Sequence, residues 1–115
     1  MNLKTLLAVS ALTAMLSSVP TYAATPASGY CGVTDYEKTV SWSVDANGVL
    51  TLSGQWTENS KGFVGYMQHF LREPYGPWSK DIVKIVFRKG IRRVGSSAFR
   101  GCSKVKEVVF EDQYN

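Results

Sequence analysis

The period of hydrophobic and polar positions changes several times along the chain. From Leu6 to Leu16 apolar residues dominate (LLAVSALTAML). Val40, Trp42 and Val44 then alternate with Ser41 and Ser43, the period of two that belongs to a half-buried strand. Leu50 and Leu52 alternate with Thr51 and Ser53 in the same way, up to Gly54. Between them Asp45-Ala46-Asn47-Gly48 supplies turn residues, with Gly48 able to take the positive φ that closes a four-residue loop. This pattern predicts a β-hairpin. Over residues 57–72 the period lengthens: Phe63, Val64, Tyr66, Met67, Phe70 and Leu71 stand at helical spacing and predict a short amphipathic helix. Glu73-Pro74-Tyr75-Gly76-Pro77-Trp78 ends it, because each proline pushes its predecessor out of the helical region. Aromatic and Met residues so spaced are read as core ahead of a ligand platform.

The first apolar run is too short to span a bilayer and has the anatomy of an export signal. Lys4 gives a positive start, Ser17, Ser18 and Pro20 break the helix, and Thr21-Tyr22-Ala23 places small residues before a cleavage point. Residues 1–23 are therefore expected to be a signal peptide, cut between Ala23 and Ala24, rather than a buried N-terminal helix. Residues 24–30 read as a flexible leader. The expected destination is the cell surface or the outside medium, with no membrane span.

Composition narrows the chemistry. At 115 residues, 44% hydrophobic, 12% aromatic and 19% charged, the chain has the balance of one globular domain. A single histidine, His69, excludes a His-rich metal site, and two cysteines cannot build a four-cysteine zinc cluster. No G-x-S-x-G, H-E-x-x-H, P-loop or paired-carboxylate pattern appears, so neither a catalytic site nor a cofactor is expected. His69, among Met67, Phe70 and Leu71, reads as partly buried and non-catalytic. The net charge of +4 is lopsided. Basic residues crowd the chain after Ser79, Arg88, Lys89, Arg92 and Arg93 among them, whereas residues 24–78 carry an acidic excess. Nucleic acid is not an expected partner outside a cell, but an acidic glycan or other polyanion could meet this basic stretch. The competing reading is a solvated face that keeps the domain soluble. Trp42, alternating with valines, reads as buried; Trp56 and Trp78 could offer flat apolar faces to a sugar ring.

An internal repeat carries the most information. Ile82-Val83-Lys84-Ile85-Val86-Phe87 recurs as Val105-Lys106-Glu107-Val108-Val109-Phe110, 23 residues later (Ile82 to Val105). A 20–29-residue period with this strand pattern is the signature of a leucine-rich-repeat solenoid, whose coils stack to share one core. The register makes a charge prediction: Lys84 falls beside Glu107 and Arg88 beside Glu111, each pair worth a few tenths of a kcal/mol. In this arrangement Ile82, Ile85, Phe87, Ile91, Val94, Phe99, Cys102, Val105, Val108 and Phe110 point inward. Val83, Lys84, Val86, Lys106, Glu107 and Val109 face the open side, the expected binding strip.

The run Gly95-Ser96-Ser97-Ala98-Phe99-Arg100-Gly101-Cys102, with Ser103-Lys104-Val105-Lys106-Glu107-Val108 after it, resembles the BspA-type leucine-rich repeat. Cys31-Gly32, Val40-Ser41-Trp42, Asn47-Gly48-Val49-Leu50-Thr51-Leu52-Ser53-Gly54 and Pro77-Trp78 resemble the N-terminal cap that precedes such repeats. The resemblance implies a mainly β protein: a hairpin-containing cap over residues 31–80, followed by a short, incomplete solenoid coil over residues 81–115. It also implies an exported or surface-attached bacterial protein that binds other cells' surfaces, with no catalytic residues. The span between Gly54 and Pro77 is longer than the family's pattern, adding the segment Phe63–Arg72, and the repeats are fewer than such stacks need. The Val105–Phe110 strand is thus expected as an unprotected edge: either the chain is a truncated piece of a longer adhesin, or that edge pairs with a partner, including a second copy. Family members repeat Gly-Cys as a small buried apolar group, which favours two unpaired, largely buried thiols at Cys31 and Cys102. A Cys31–Cys102 disulfide, worth about 4 kcal/mol by loop-closure entropy, is disfavoured. The leading functional expectation is protein binding or adhesion; the alternative is a small glycan- or polyanion-binding module.

Overall fold

A computed structural model describes residues 24–111; the expected signal peptide, residues 1–23, lies outside the described residues. The chain is mainly β. Strands β1 (Ala27–Tyr30), β2 (Val40–Val44), β3 (Val49–Gly54), β4 (Lys84–Phe87) and β5 (Glu107–Phe110) form one mixed open sheet in sequence order. One 3-10 turn, Glu37–Thr39, is the helical element among the described residues.

β2 and β3 are the predicted hairpin, antiparallel with Trp42 opposite Leu52 and Val44 opposite Leu50. Its loop closes as the residue types require. The Asp45 carboxylate accepts from the Asn47 N–H at 2.9 Å and the Val49 N–H at 3.0 Å, while Gly48 takes φ 78°. The Gly48 carbonyl then accepts from the Val83 N–H at 2.9 Å, handing the sheet on to β4. β3 and β4 pair in parallel, with Leu50 opposite Ile85 and Leu52 opposite Phe87. β4 and β5 are also parallel, with Lys84 opposite Glu107 and Phe87 opposite Phe110. This is the register that the repeat predicted.

One face of the sheet builds the core. Val40, Trp42, Val44, Leu50, Leu52, Ile85 and Phe87 alternate into it and meet Cys31, Met67, Trp78, Ile82 and Ala98 from the connections. Trp78 is the hub. Its ring lies edge-to-face with Trp42 at 5.8 Å and Phe70 at 5.5 Å, and stacks on Phe99 at 5.5 Å. Its Nε1–H donates to the Ala98 carbonyl at 3.0 Å, so the one polar atom of the indole is satisfied in a buried site.

Three expectations change. The helix over 57–72 does not form. Gly62 and Gly65 take positive φ, and the segment's backbone groups bond outward instead of along a helix. The Met67 N–H donates to the Arg93 carbonyl, the Gln68 N–H to the Cys31 carbonyl and the Phe70 N–H to the Ser96 carbonyl, all at 2.9–3.0 Å. The segment is thus laced between the start of the chain and the repeat, and Met67 is its fully buried anchor. The residues read as a flexible leader are tied to the sheet: Ala24 is buried in the core and its N–H donates to the Ala46 carbonyl at 3.3 Å, and from Ala27 β1 pairs antiparallel with β2, with Gly29 against the Trp42 indole. Finally, Val94, Val108 and Phe110, expected inside, are 41%, 48% and 66% exposed, because no further layer covers β5 among the described residues. Phe110 still stacks on Phe87, at 4.9 Å and 9° between planes.

Candidate functional site

The other face of the sheet is the open one, and strand register sorts its residues into lateral rows. Val49, Lys84 and Glu107 form one row; Ser43, Thr51, Val86 and Val109 form the next. Ser53, Arg88 and Glu111 follow, with the Arg88 N–H on the Leu52 carbonyl at 2.8 Å and the Glu111 N–H on the Phe87 carbonyl at 2.9 Å. Every residue in these rows is half-buried or exposed.

The ion pairs lie where the repeat placed them. Lys84 Nζ is 3.6 Å from Glu107 Oε1, and Arg88 Nε donates to Glu111 Oε1 at 3.2 Å. A third pair of the same spacing, Lys104 Nζ to Asp81 Oδ1 at 2.7 Å, was missed, although the 23-residue shift carries Asp81 onto Lys104. The two outer rows therefore end in paired charges, while the row between them is aliphatic at Val86 and Val109. Of the expected strip, the sheet brings together Lys84, Val86, Glu107 and Val109. Val83 and Lys106 stand one step before the strands, joined by the Lys106 N–H on the Val83 carbonyl at 2.8 Å. Val83 is half-buried and Lys106 exposed.

The basic stretch is tied to separate neighbours. Arg88 pairs with Glu111; the Arg92 guanidinium lies 4.2 Å over the Trp56 ring; Arg93 Nη2 donates to the Met67 carbonyl at 2.8 Å. Lys89 is exposed, and its carbonyl accepts from the Gly54 N–H. Trp56 is thus partly roofed by Arg92, and Trp78, considered as a sugar platform, is buried at 3% exposure. His69 is exposed instead of partly buried, and its Nδ1 accepts from the Ser96 N–H at 2.9 Å, a loop tie.

Cys31 and Cys102 are free thiols in the structure, one buried and one half-buried. Burial pushes the Cys31 thiol up to about 12. Burial also raises Cys102, with the Lys80 charge pulling the other way. Among the described residues no group of three or more His, Cys, Asp and Glu side chains could hold a metal ion, and no helix is long and apolar enough to cross a membrane. Comparison with known proteins returned no similarity: no family model, no curated protein and no solved structure matches the chain.

Proposed function

We propose that the chain is an exported, non-catalytic module that binds another protein through the open face of its sheet, acting at the cell surface or beyond it. In this reading the hairpin is part of the cap, residues 31–80, of a short, incomplete BspA-type leucine-rich-repeat coil, and β4 and β5 are the coil's strands. The observation that supports it is the lateral layout of the open face: an aliphatic row, Val86 and Val109, between rows closed by the Lys84–Glu107 and Arg88–Glu111 pairs. An apolar centre inside a polar rim is the usual plan of a protein–protein contact. The basic residues support a polyanion contact less, since Arg88, Arg92 and Arg93 are each tied to a different neighbour.

The test is binding of the fluorescently labelled chain to intact cells, before and after surface proteolysis, across a salt titration. Binding through the open face is expected to be lost on proteolysis, to change little with salt, and to disappear in the double variant Val86→Asp, Val109→Asp. Binding that survives both substitutions and falls steeply with salt would replace this reading with the polyanion one, because mobile ions screen charge attraction.

A further inference from the structure

A second surface lies away from the open face, where the loop after β1, the 57–72 segment and Arg93 converge. Val33, Thr34, Phe63 and Arg93 line a shallow cleft of about 300 Å³. Phe63 is 54% exposed, held edge-to-face against Tyr36 at 5.9 Å and Tyr66 at 5.4 Å. The Val33 N–H donates to the Tyr66 carbonyl at 3.0 Å, fixing the two walls to each other.

Arg93 supplies the charge of this cleft, and its hydrogen-bonding is incomplete. Nη2 donates to the Met67 carbonyl, and the guanidinium carbon lies 5.3 Å from the Tyr66 ring centre. Nε is buried without a hydrogen-bond partner. Nη1 has no hydrogen-bond partner among the described residues, yet it is not among the buried unpartnered atoms, so it reaches solvent. The three ion pairs among the described residues do not include Arg93: no carboxylate oxygen of those residues lies within 4.0 Å of its guanidinium. A half-buried guanidinium with an unmet, solvent-reaching donor favours an acceptor carrying negative charge, because a charge-assisted hydrogen bond is stronger than a neutral one. Phe63 and Val33 give that acceptor an apolar neighbour to lie against. The exposed carboxylates of Asp35 and Glu37 stand in the same loop, with Glu37 Oε2 accepting from the Asp35 N–H at 3.1 Å.

We propose that this cleft binds a single carboxylate carried beside an aromatic or branched aliphatic group, as in an N-acylated hydrophobic amino acid or the C-terminal residue of a peptide. The carboxylate accepts from Arg93 Nη1, and the apolar group lies on Phe63 and Val33. The assignment is independent of the open-face reading, since it shares none of that face's residues.

The test is titration of the ¹⁵N-labelled full chain with N-acetylphenylalanine, N-acetylphenylalanine amide and a tripeptide ending in a free phenylalanine, followed by amide shifts. Saturable shifts at Val33, Phe63 and Arg93 are expected with the acid, and binding about tenfold weaker with the amide, the loss of one charge-assisted hydrogen bond. Arg93→Lys keeps the charge but loses the Nη1 donor and the planar group that holds it in place, and is expected to weaken the acid about tenfold. Phe63→Ala removes an exposed ring outside the buried core and keeps the test valid if the Arg93 variant misfolds; it is expected to weaken acid and tripeptide alike. A tripeptide that binds tighter than the acetylated residue assigns the site to peptide C-termini, and equal binding assigns it to small acids. Equal affinity for acid and amide, binding unchanged by both substitutions, or no saturable shift would overturn the assignment.

Discussion

Trp78 gives the sharpest test of how this sheet is held, because two of its roles can be removed separately. Trp78→Phe keeps an aromatic ring among Trp42, Phe70 and Phe99 but deletes the Nε1–H, leaving the Ala98 carbonyl without its buried donor. An orphaned buried acceptor costs about 1–3 kcal/mol. Trp78→Ala also empties the space under the sheet, and truncating a buried aromatic costs about 3–5 kcal/mol. Against a total stability of about 5–15 kcal/mol, the alanine variant loses a large share of what folds the chain. For a domain of this size, 1 kcal/mol shifts the melting temperature by about 4–8 °C. The phenylalanine variant is therefore expected to melt roughly 5–20 °C lower, and the alanine variant to lose its cooperative transition or melt far below that. Far-UV circular dichroism on heating, with urea titration of the same samples, measures both. If Trp78→Ala melted within a degree or two of the parent, the hub would be wrong, and Trp78 would return as a candidate ligand platform.

Other perturbations test separate parts of the structure. A double-mutant cycle on Lys84 and Glu107, at 36% and 59% side-chain exposure, is expected to give a coupling of about 0.2–1 kcal/mol that fades in high salt; zero coupling at low salt would separate the two strands' side chains. Gly54→Ala places a Cβ 1.9 Å from the Gly90 carbonyl oxygen, so it is expected to lower the urea midpoint clearly, and an unchanged midpoint would remove that close approach. Cys31, with its thiol at about 12 in the folded chain, stays protonated where the unfolded chain's thiol ionises. Its contribution is complete below pH about 8.5 and is lost as pH rises toward about 12, so the melting temperature is expected to fall over that window, less so in Cys31→Ala. Self-association through β5 predicts a molar mass that grows with concentration in light scattering and drops in Phe110→Glu; a monomer at every concentration would exclude it.

The parts of this fold that could be read from the sequence are those governed by local rules. The hairpin follows from period-two alternation broken by Asp45-Ala46-Asn47-Gly48, and each residue of the loop has the conformational or hydrogen-bonding property its position uses. The register of β4 against β5 follows from the repeat, because a 23-residue shift fixes both the apolar positions and the charge pairs. The parallel join of β3 to β4 was not legible in the same way. It spans a connection of irregular structure, and it is held by the meeting of Leu50 with Ile85 and Leu52 with Phe87 and by backbone bonds such as Val83 N–H to the Gly48 carbonyl, which no local pattern announces. The candidate cleft around Arg93 carried no sequence signal beyond a basic dipeptide, since its walls come from segments distant in sequence.

The failure over 57–72 has a physical cause that bears on both surfaces. Helical spacing of Phe63, Tyr66, Met67 and Phe70 is an argument about side chains, whereas the backbone here is decided by its partners. Tyr66 bridges Arg93 in parallel and Met67 bridges Gly32 in antiparallel fashion, so this short stretch serves as a rung between two segments far apart in the chain. Gly65 makes that approach possible: its N–H donates to Thr39 Oγ1 at 3.0 Å, its carbonyl accepts from the Arg92 N–H at 2.8 Å, and a Cβ there would lie 2.4 Å from the Gly90 carbonyl oxygen. The same lacing turns Met67 into the core and leaves Phe63 outside beside Arg93. A helix could have buried these apolar side chains on one side; the rung divides them, anchoring the core with Met67 and giving the cleft its apolar wall with Phe63.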